Sequence, residues 1–411
     1  MSNSRLWRTA ILAGLVVWSF VGGLVWAAGS ARQAGDKVFE MIPANCLFCV
    51  RINNLDQALT QIDQFLTGIS PVGVSMPVRA KFANVLGNPQ LTGVNMAGSF
   101  VIFSPLLGSD PGAIGKVGIL VPVADYKQFR QGSPNVSPAD EKGISKIISD
   151  KAPPLLVMQV RDYALISPVG NENELTATGQ AILAGKLESL AGSLDPDEAK
   201  QAMNEPVWVY GDIQLVNKTF GPVLVAKIKE MKKTMEEMKA TAKVPMFNPT
   251  AIMDTYAAMI ETFMKEAKSL SLVVRPKPNV VSVTTTVSAL PGTEMAGMFA
   301  GGGSSAEKNR LLGYLRDGAM MNIALNMSTP LWNKLSVMNL DLLDSFTGKA
   351  PSPEDAAKMK TLTADMIDCL GGPVACSLSV DAKNKPHLWC DTSMRSKMRK
   401  NSIGLRTNGR K

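Results

Sequence analysis

A single histidine, His387, serves this chain of 411 residues. It lies near the C-terminus in a polar stretch. A Ser-His-Asp triad, a Cys–His dyad and a histidine-bearing zinc site therefore lack their imidazole in the body of the protein. Cysteines stand at 46, 49, 369, 376 and 390. Cys46-Leu47-Phe48-Cys49 has the C-x-x-C spacing of redox and metal motifs, but it falls in an apolar run, Cys46–Ile52, that reads as a strand. Residues three apart in a strand point to opposite faces. The pair thus reads as small apolar core residues. A long-range disulfide from Cys46 or Cys49 to Cys376 is the alternative in an oxidising compartment.

Other chemical signals are weaker. Ser305-Ala306-Glu307-Lys308 matches the S-x-x-K of serine acyltransferases, yet neither partner motif of that class occurs. The same stretch reads as a capping box, Ser304 with Glu307, ahead of Leu311-Leu312. Gly301-Gly302-Gly303 precedes a helical pattern without the Gly-Lys-Ser/Thr of a P-loop, so a linker is favoured over an anion cradle. The carboxylate pairs Glu236-Glu237 and Glu354-Asp355 sit at helix surfaces or starts, where such residues are solvated or favoured by the helix dipole. No catalytic, cofactor-binding or metal-binding residue is singled out. The remaining signal is methionine, 23 residues in all. Two long helical patterns, Val216–Thr241 and Thr250–Lys268, carry the stripes Leu224, Ile228, Met231, Met235, Met238 and Ile252, Tyr256, Met259, Phe263. Such stripes either pack the two helices together or form a flexible apolar groove for a partner protein or apolar ligand.

Around these residues the recurrent unit is a short apolar strand, a polar junction and an amphipathic helix. Cys46–Ile52 leads through Asn53-Asn54 to Leu55, Leu59, Ile62 and Leu66 on one helical face, and Val117–Val123 leads through Asp125 to Tyr126 and Phe129. Tyr163–Ser167, Val207–Ile213 and Met320–Met327 begin similar units. Leu155–Val160 and Tyr163–Ser167 flank Arg161-Asp162, and Leu270–Arg275 and Val280–Ser288 flank a Pro-Lys-Pro-Asn turn, so both pairs predict antiparallel hairpins. The expected fold class is α+β: duplicated antiparallel-sheet-plus-helix units with an inserted αα-hairpin, preceded by one N-terminal transmembrane or signal helix. The duplication pairs Cys46–Gly68, followed by Val78–Leu86 and Gly98–Ser104, with Ala319–Gly348, followed by Glu354–Leu370 and Val374–Val380. Expected segments are 1–31 as signal peptide or membrane anchor, 38–300 as a first unit with the helical hairpin at about 216–268, 304–380 as a second unit and 381–411 as a basic tail.

Charge supports that division. The net charge is +8, but residues 1–37 and 381–411 together hold thirteen of the 43 basic residues and three of the 35 acids. The body is left with 30 basic and 32 acidic residues, which gives no footprint for a phosphate backbone and excludes nucleic-acid binding. Arg5 and Arg8 precede an uncharged run from Thr9 to Ala31. Basic-then-apolar order is an export pattern with the positive end left in the cytoplasm. Val25-Trp26-Ala27 and Ala28-Gly29-Ser30 suit cleavage, whereas the length of the run suits an uncleaved anchor. Cys390–Lys411 lacks periodicity and reads as a solvated tail, with a frameshifted or truncated second unit as the alternative.

Ile42-Pro43-Ala44-Asn45, followed by a strand and Asn53-Asn54-Leu55-Asp56 at a helix start, resembles a loose group of exported bacterial proteins with an N-terminal membrane segment. The likeness covers residues 38–68 and, more faintly, the duplicated body, and it implies no activity or site. The functional expectation is a non-catalytic exported envelope protein. It would be attached to the membrane through its N-terminal helix, or secreted or periplasmic if cleaved, and its body would bind a partner protein or apolar ligand without a cofactor. The alternatives are a histidine-independent hydrolase using carboxylates or a serine, and a self-assembling structural protein.

Overall fold

The computed structural model describes residues 37–67, 73–108, 116–149, 152–241, 249–277, 280–300, 321–326, 373–381 and 387–394, with single positions between 352 and 362. The export segment, the glycine run at 301–303 and the Ser305–Lys308 motif lie outside the described residues. No helix among the described residues is long and apolar enough to cross a membrane. The fold is mixed α+β around one large antiparallel sheet. The chain divides into two compact units, 1–222 with 267–288, and 223–266 with 289–411.

The first unit is built on a nine-stranded sheet. Its strands are β1 (Phe48–Asn53), β2 (Ser99–Ser104), β3 (Gly118–Pro122), β4 (Ile144–Ser149), β5 (Ala152–Val160), β6 (Tyr163–Pro168), β7 (Val207–Asp212), β8 (Ala267–Lys277) and β9 (Val280–Ala289). Their order is β4-β5-β6-β3-β2-β1-β7-β8-β9. Both faces are covered, which explains why the central strands read as nearly continuous apolar runs. One face carries α1 (Leu55–Leu66), α2 (Ser75–Val85) and α3 (Tyr126–Gln131), whose Leu59, Ile62, Phe82 and Phe129 pack with Phe100, Val121, Val157 and Ile166. The other carries α4 (Glu172–Leu183), α5 (Leu190–Ser193) and α6 (Pro196–Asn204), whose Leu175, Ile182, Leu190 and Ala202 pack with Phe103, Leu120, Leu165 and Trp208. Alternate side chains of one strand serve opposite layers, as the pleat requires: Phe100 belongs to the first, Val101 and Phe103 to the second.

Local chemistry sets the helix starts. Asn54 adopts φ 56° and its Oδ1 accepts from the Gln57 amide at 3.0 Å, capping α1. Asp125 caps α3 through Gln128 at 3.0 Å, and Asp195 caps α6 through Glu198 at 2.8 Å. Asp63 accepts from the amides of Val74 (2.6 Å) and Ser75 (3.2 Å) and so ties α1 to the start of α2.

A buried cation locks α6 to the sheet. Arg51, in β1, is fully buried. Its Nη1 donates to the carbonyls of Ala202 (2.8 Å), Met203 (3.2 Å) and Glu205 (3.3 Å) at the C-terminal end of α6. Its Nε donates to Ser99 Oγ at 3.1 Å, and its guanidinium lies 5.6 Å from the centroid of the Phe39 ring. The helix thus offers its negative end to the charge. Nearby, Glu198 of α6 is also buried and accepts from the hydroxyls of Ser269 and Ser288.

In the second unit, α8 (Pro249–Glu266) is the second arm of a helical hairpin whose first arm is α7 (Ile213–Thr241). The sequence reading places this hairpin within the first unit, whereas the chain divides inside α7, at Pro222. A short helix, α9 (Glu294–Ala300), follows, with the Met295 amide donating to Glu266 at 2.8 Å. A separate sheet has the order β10 (Met321–Asn326), β11 (Pro373–Asp381), β12 (His387–Met394), both pairs antiparallel. Strand β12 corrects the expectation of an aperiodic chain from Cys390 onward. Leu388, Cys390 and Met394 fall opposite Val380, Leu378 and Val374, so a period of two runs through the segment on one face only.

Candidate functional site

Three places in the described residues hold the side chains that the sequence brings forward, or that it overlooks. The first is the C-x-x-C pair. Strand β1 begins at Phe48, so Cys46 precedes it and lies outside the strand's alternation, and the two cysteines do not fall on opposite faces as expected. Both cysteines are free, buried and part of the same core layer. Cys46 donates to the Phe48 carbonyl at 2.7 Å. Burial pushes the Cys46 thiol up to about 12 and raises Cys49 well above its ordinary value, with Cys46 adding to the effect at Cys49. Thiolate is the reactive form. At pH 8 both groups therefore stay as thiols. Native full-length protein is expected to leave both positions unmodified by iodoacetamide over hours, while denaturant exposes both. Peptide mass spectrometry reads this directly, and labelling of Cys46 within minutes in native buffer would contradict the burial.

The second place is the helical hairpin, where the two apolar stripes meet different fates. Ile228 and Ala257 are buried, at 4% and 5% exposure. Met231, Tyr256, Met259 and Ile260 are not, at 47%, 50%, 39% and 39%. Tyr256, Met259 and Ile260 are spaced three and four apart and share one helical face. Val223 and Val225 are exposed as well. A Lys232–Asp254 ion pair bridges the two helices. Of the two stripes, Ile228 is buried, whereas Met231, Tyr256 and Met259 are left in solvent. The carboxylates Glu236 and Glu237 are exposed on the same hairpin, and Glu354 and Asp355 are exposed near Ser352, whose hydroxyl accepts from the Asp355 amide at 3.1 Å. Among the described residues no cluster of three or more His, Cys, Asp or Glu side chains could hold a metal ion.

The third place was not signalled by the sequence. A surface cleft of about 390 Å³ is lined by Tyr126, Lys127, Arg130 and Gln131 of α3, Val136 of the following loop and Gln159 of β5. Helix α3 is short, and its position is set by its neighbours. The amides of Ala124 and Asp125 donate to the Gly93 carbonyl (2.9 and 3.4 Å), and Phe129 is fully buried beneath the helix. The loop is held by Ser137, whose amide donates to the Lys146 carbonyl and whose Oγ accepts from the Lys146 amide, each at 2.9 Å. Arg130 Nη2 donates to the Ser137 carbonyl at 3.2 Å and closes the cleft on one side. The sequence marks this segment by Asp125 ahead of Tyr126 and Phe129, and that pattern announces a helix, not a cleft.

No known protein family, curated protein or solved structure matches the chain.

Proposed function

We propose that this is an exported, membrane-anchored protein without an active site of its own, whose helical hairpin receives an amphipathic helix from a partner protein in the cell envelope. Export and anchoring rest on Arg5 and Arg8 followed by the uncharged run Thr9–Ala31. The observation that carries the binding role is the concentration of exposed apolar surface. Six of the thirteen large apolar side chains exposed among the described residues lie on α7 and α8. Tyr256, Met259 and Ile260 share one face of α8, and apolar patches of this kind mark interaction sites. A pair of helices offers the groove into which a third helix packs, and methionine side chains adapt to varied partners. Exposed Lys227, Glu230, Lys233 and Glu261 interrupt the patch. A polar rim suits a protein surface better than acyl chains. The body reads as a duplication: β1, β2 and β3 on one side, and β10, β11 and β12 on the other, follow the same antiparallel order.

A photo-crosslinking benzophenone residue at position 259 of the full-length chain tests the binding role in the native host. The expected product is an adduct to one protein species. It should be absent when the crosslinker replaces exposed Lys186, and lost when Met231→Glu and Tyr256→Glu are added. Adducts to lipid alone, or the same adducts from both positions, would sink the proposal.

A further inference from the structure

The cleft beside α3 carries an inference that does not depend on the hairpin. Its lining contains two cationic side chains, Lys127 and Arg130, and no carboxylate. Neither forms an ion pair among the described residues. Arg130 is only partly exposed, and its Nε is buried with no hydrogen-bond partner, although Nη2 is engaged by the Ser137 carbonyl. The Tyr126 hydroxyl is likewise buried without a partner. Both atoms lie beneath the cleft surface, so the groups left to meet an occupant are the Lys127 ammonium and the outer nitrogens of Arg130. Burial pushes Tyr126 up to about 12, with Arg130 working the other way, so the phenol keeps its proton at neutral pH and adds no negative charge to the cleft.

We infer that this cleft binds a soluble anionic small molecule, with its carboxylate or phosphate between Lys127 and Arg130 and its apolar part against the Tyr126 ring and Val136. Charge-assisted hydrogen bonds from arginine and lysine to such oxyanions are the strong and orienting kind. Gln131 and Gln159 add amide groups at the rim for any further polar substituent. At about 390 Å³ the cleft lies at the small end of ligand sites, which fits a ring or short chain and argues against a two-chained lipid. An anion here also compensates a cationic pair that the fold leaves unbalanced.

Saturation-transfer NMR on the full-length chain, with phenyl phosphate and phenylacetate as probes and p-cresol as the uncharged control, tests this inference. Saturable binding of at least one anion in the millimolar range or tighter is expected, with no competition from p-cresol. Lys127→Gln, at an exposed position, should weaken binding about fivefold to tenfold without altering the thermal unfolding midpoint. Arg130→Gln should abolish it. Dihexanoyl phosphatidic acid should compete no better than phenyl phosphate. The inference is overturned if neither anion binds saturably, if Lys127→Gln binds like the parent, or if the short-chain lipid binds more than tenfold tighter than phenyl phosphate.

Discussion

Replacing Arg51 by methionine is expected to destabilise the first unit by roughly 4 kcal/mol, a figure built from buried acceptors left without donors and a lost cation–ring contact. Methionine fills much of the same space, so the loss comes chiefly from polar groups. The Ala202 carbonyl and Ser99 Oγ would lose a buried donor, and the end of α6 would face an uncharged sulfur. Arg51→Lys keeps the charge but cannot spread donors over three carbonyls and a hydroxyl, so about half of that loss is expected. Hydrogen exchange of the full-length protein, read by mass spectrometry, would show α6 and the β1–β7 pair losing protection first. A stability change within about 0.5 kcal/mol would mean that the guanidinium does not hold the helix in place.

A comparable loss, again roughly 4 kcal/mol, is expected from Gly93→Ala. Gly93 has φ +74°, where a side chain is strained, and its added Cβ would lie 2.3 Å from the Phe129 nitrogen and 2.6 Å from the Asp125 carbonyl oxygen. Both are backbone atoms of the α3 region and neither can rotate away. The alternative to global destabilisation is detachment of α3, which would dismantle the anion cleft. Gly143→Ala separates the causes: its φ is +80° but its Cβ would meet nothing within 4 Å. Only the conformational cost of about 1 to 2 kcal/mol is then expected. Equal losses at the two glycines, measured by denaturant unfolding, would remove the collision from the explanation.

Much of the sheet is legible in the sequence because its strands are short apolar runs separated by turn residues. The β5–β6 hairpin turns at Arg161-Asp162 as the pattern predicts, with Val160 opposite Tyr163. The helix face Leu55, Leu59, Ile62 is buried as its spacing requires, and Pro249 opens α8. Three features escape that reading for physical reasons. Helix α6 has only Ala199, Ala202 and Met203 at helical spacing, too few to stand out from a polar stretch, although Asp195-Pro196 is a legible start. Arg51 looks like a solvated charge in an otherwise apolar strand, because nothing local reveals that a helix end 150 residues later will cover it. Strand β4 hides because Ser145 is buried and Ile148 exposed, so its alternating burial is not mirrored by alternating apolar residues. The cleft was invisible for a related reason: its walls come from α3, a loop and β5, and no spacing in the sequence encodes their meeting.

The central position of β1 has a temporal consequence. Val50 pairs with Val209, so the two sides of that junction leave the ribosome about 160 residues apart, an interval of roughly ten to thirty seconds at ordinary synthesis rates. Strand β2 covers one edge early, but the other stays open, with Val50 and Ile52 beside a row of unsatisfied amides and carbonyls. Such an edge invites pairing with foreign strands. A nascent chain halted between Ser104 and Val207 would therefore be the most aggregation-prone form of this protein, and a holding chaperone would be needed in that window.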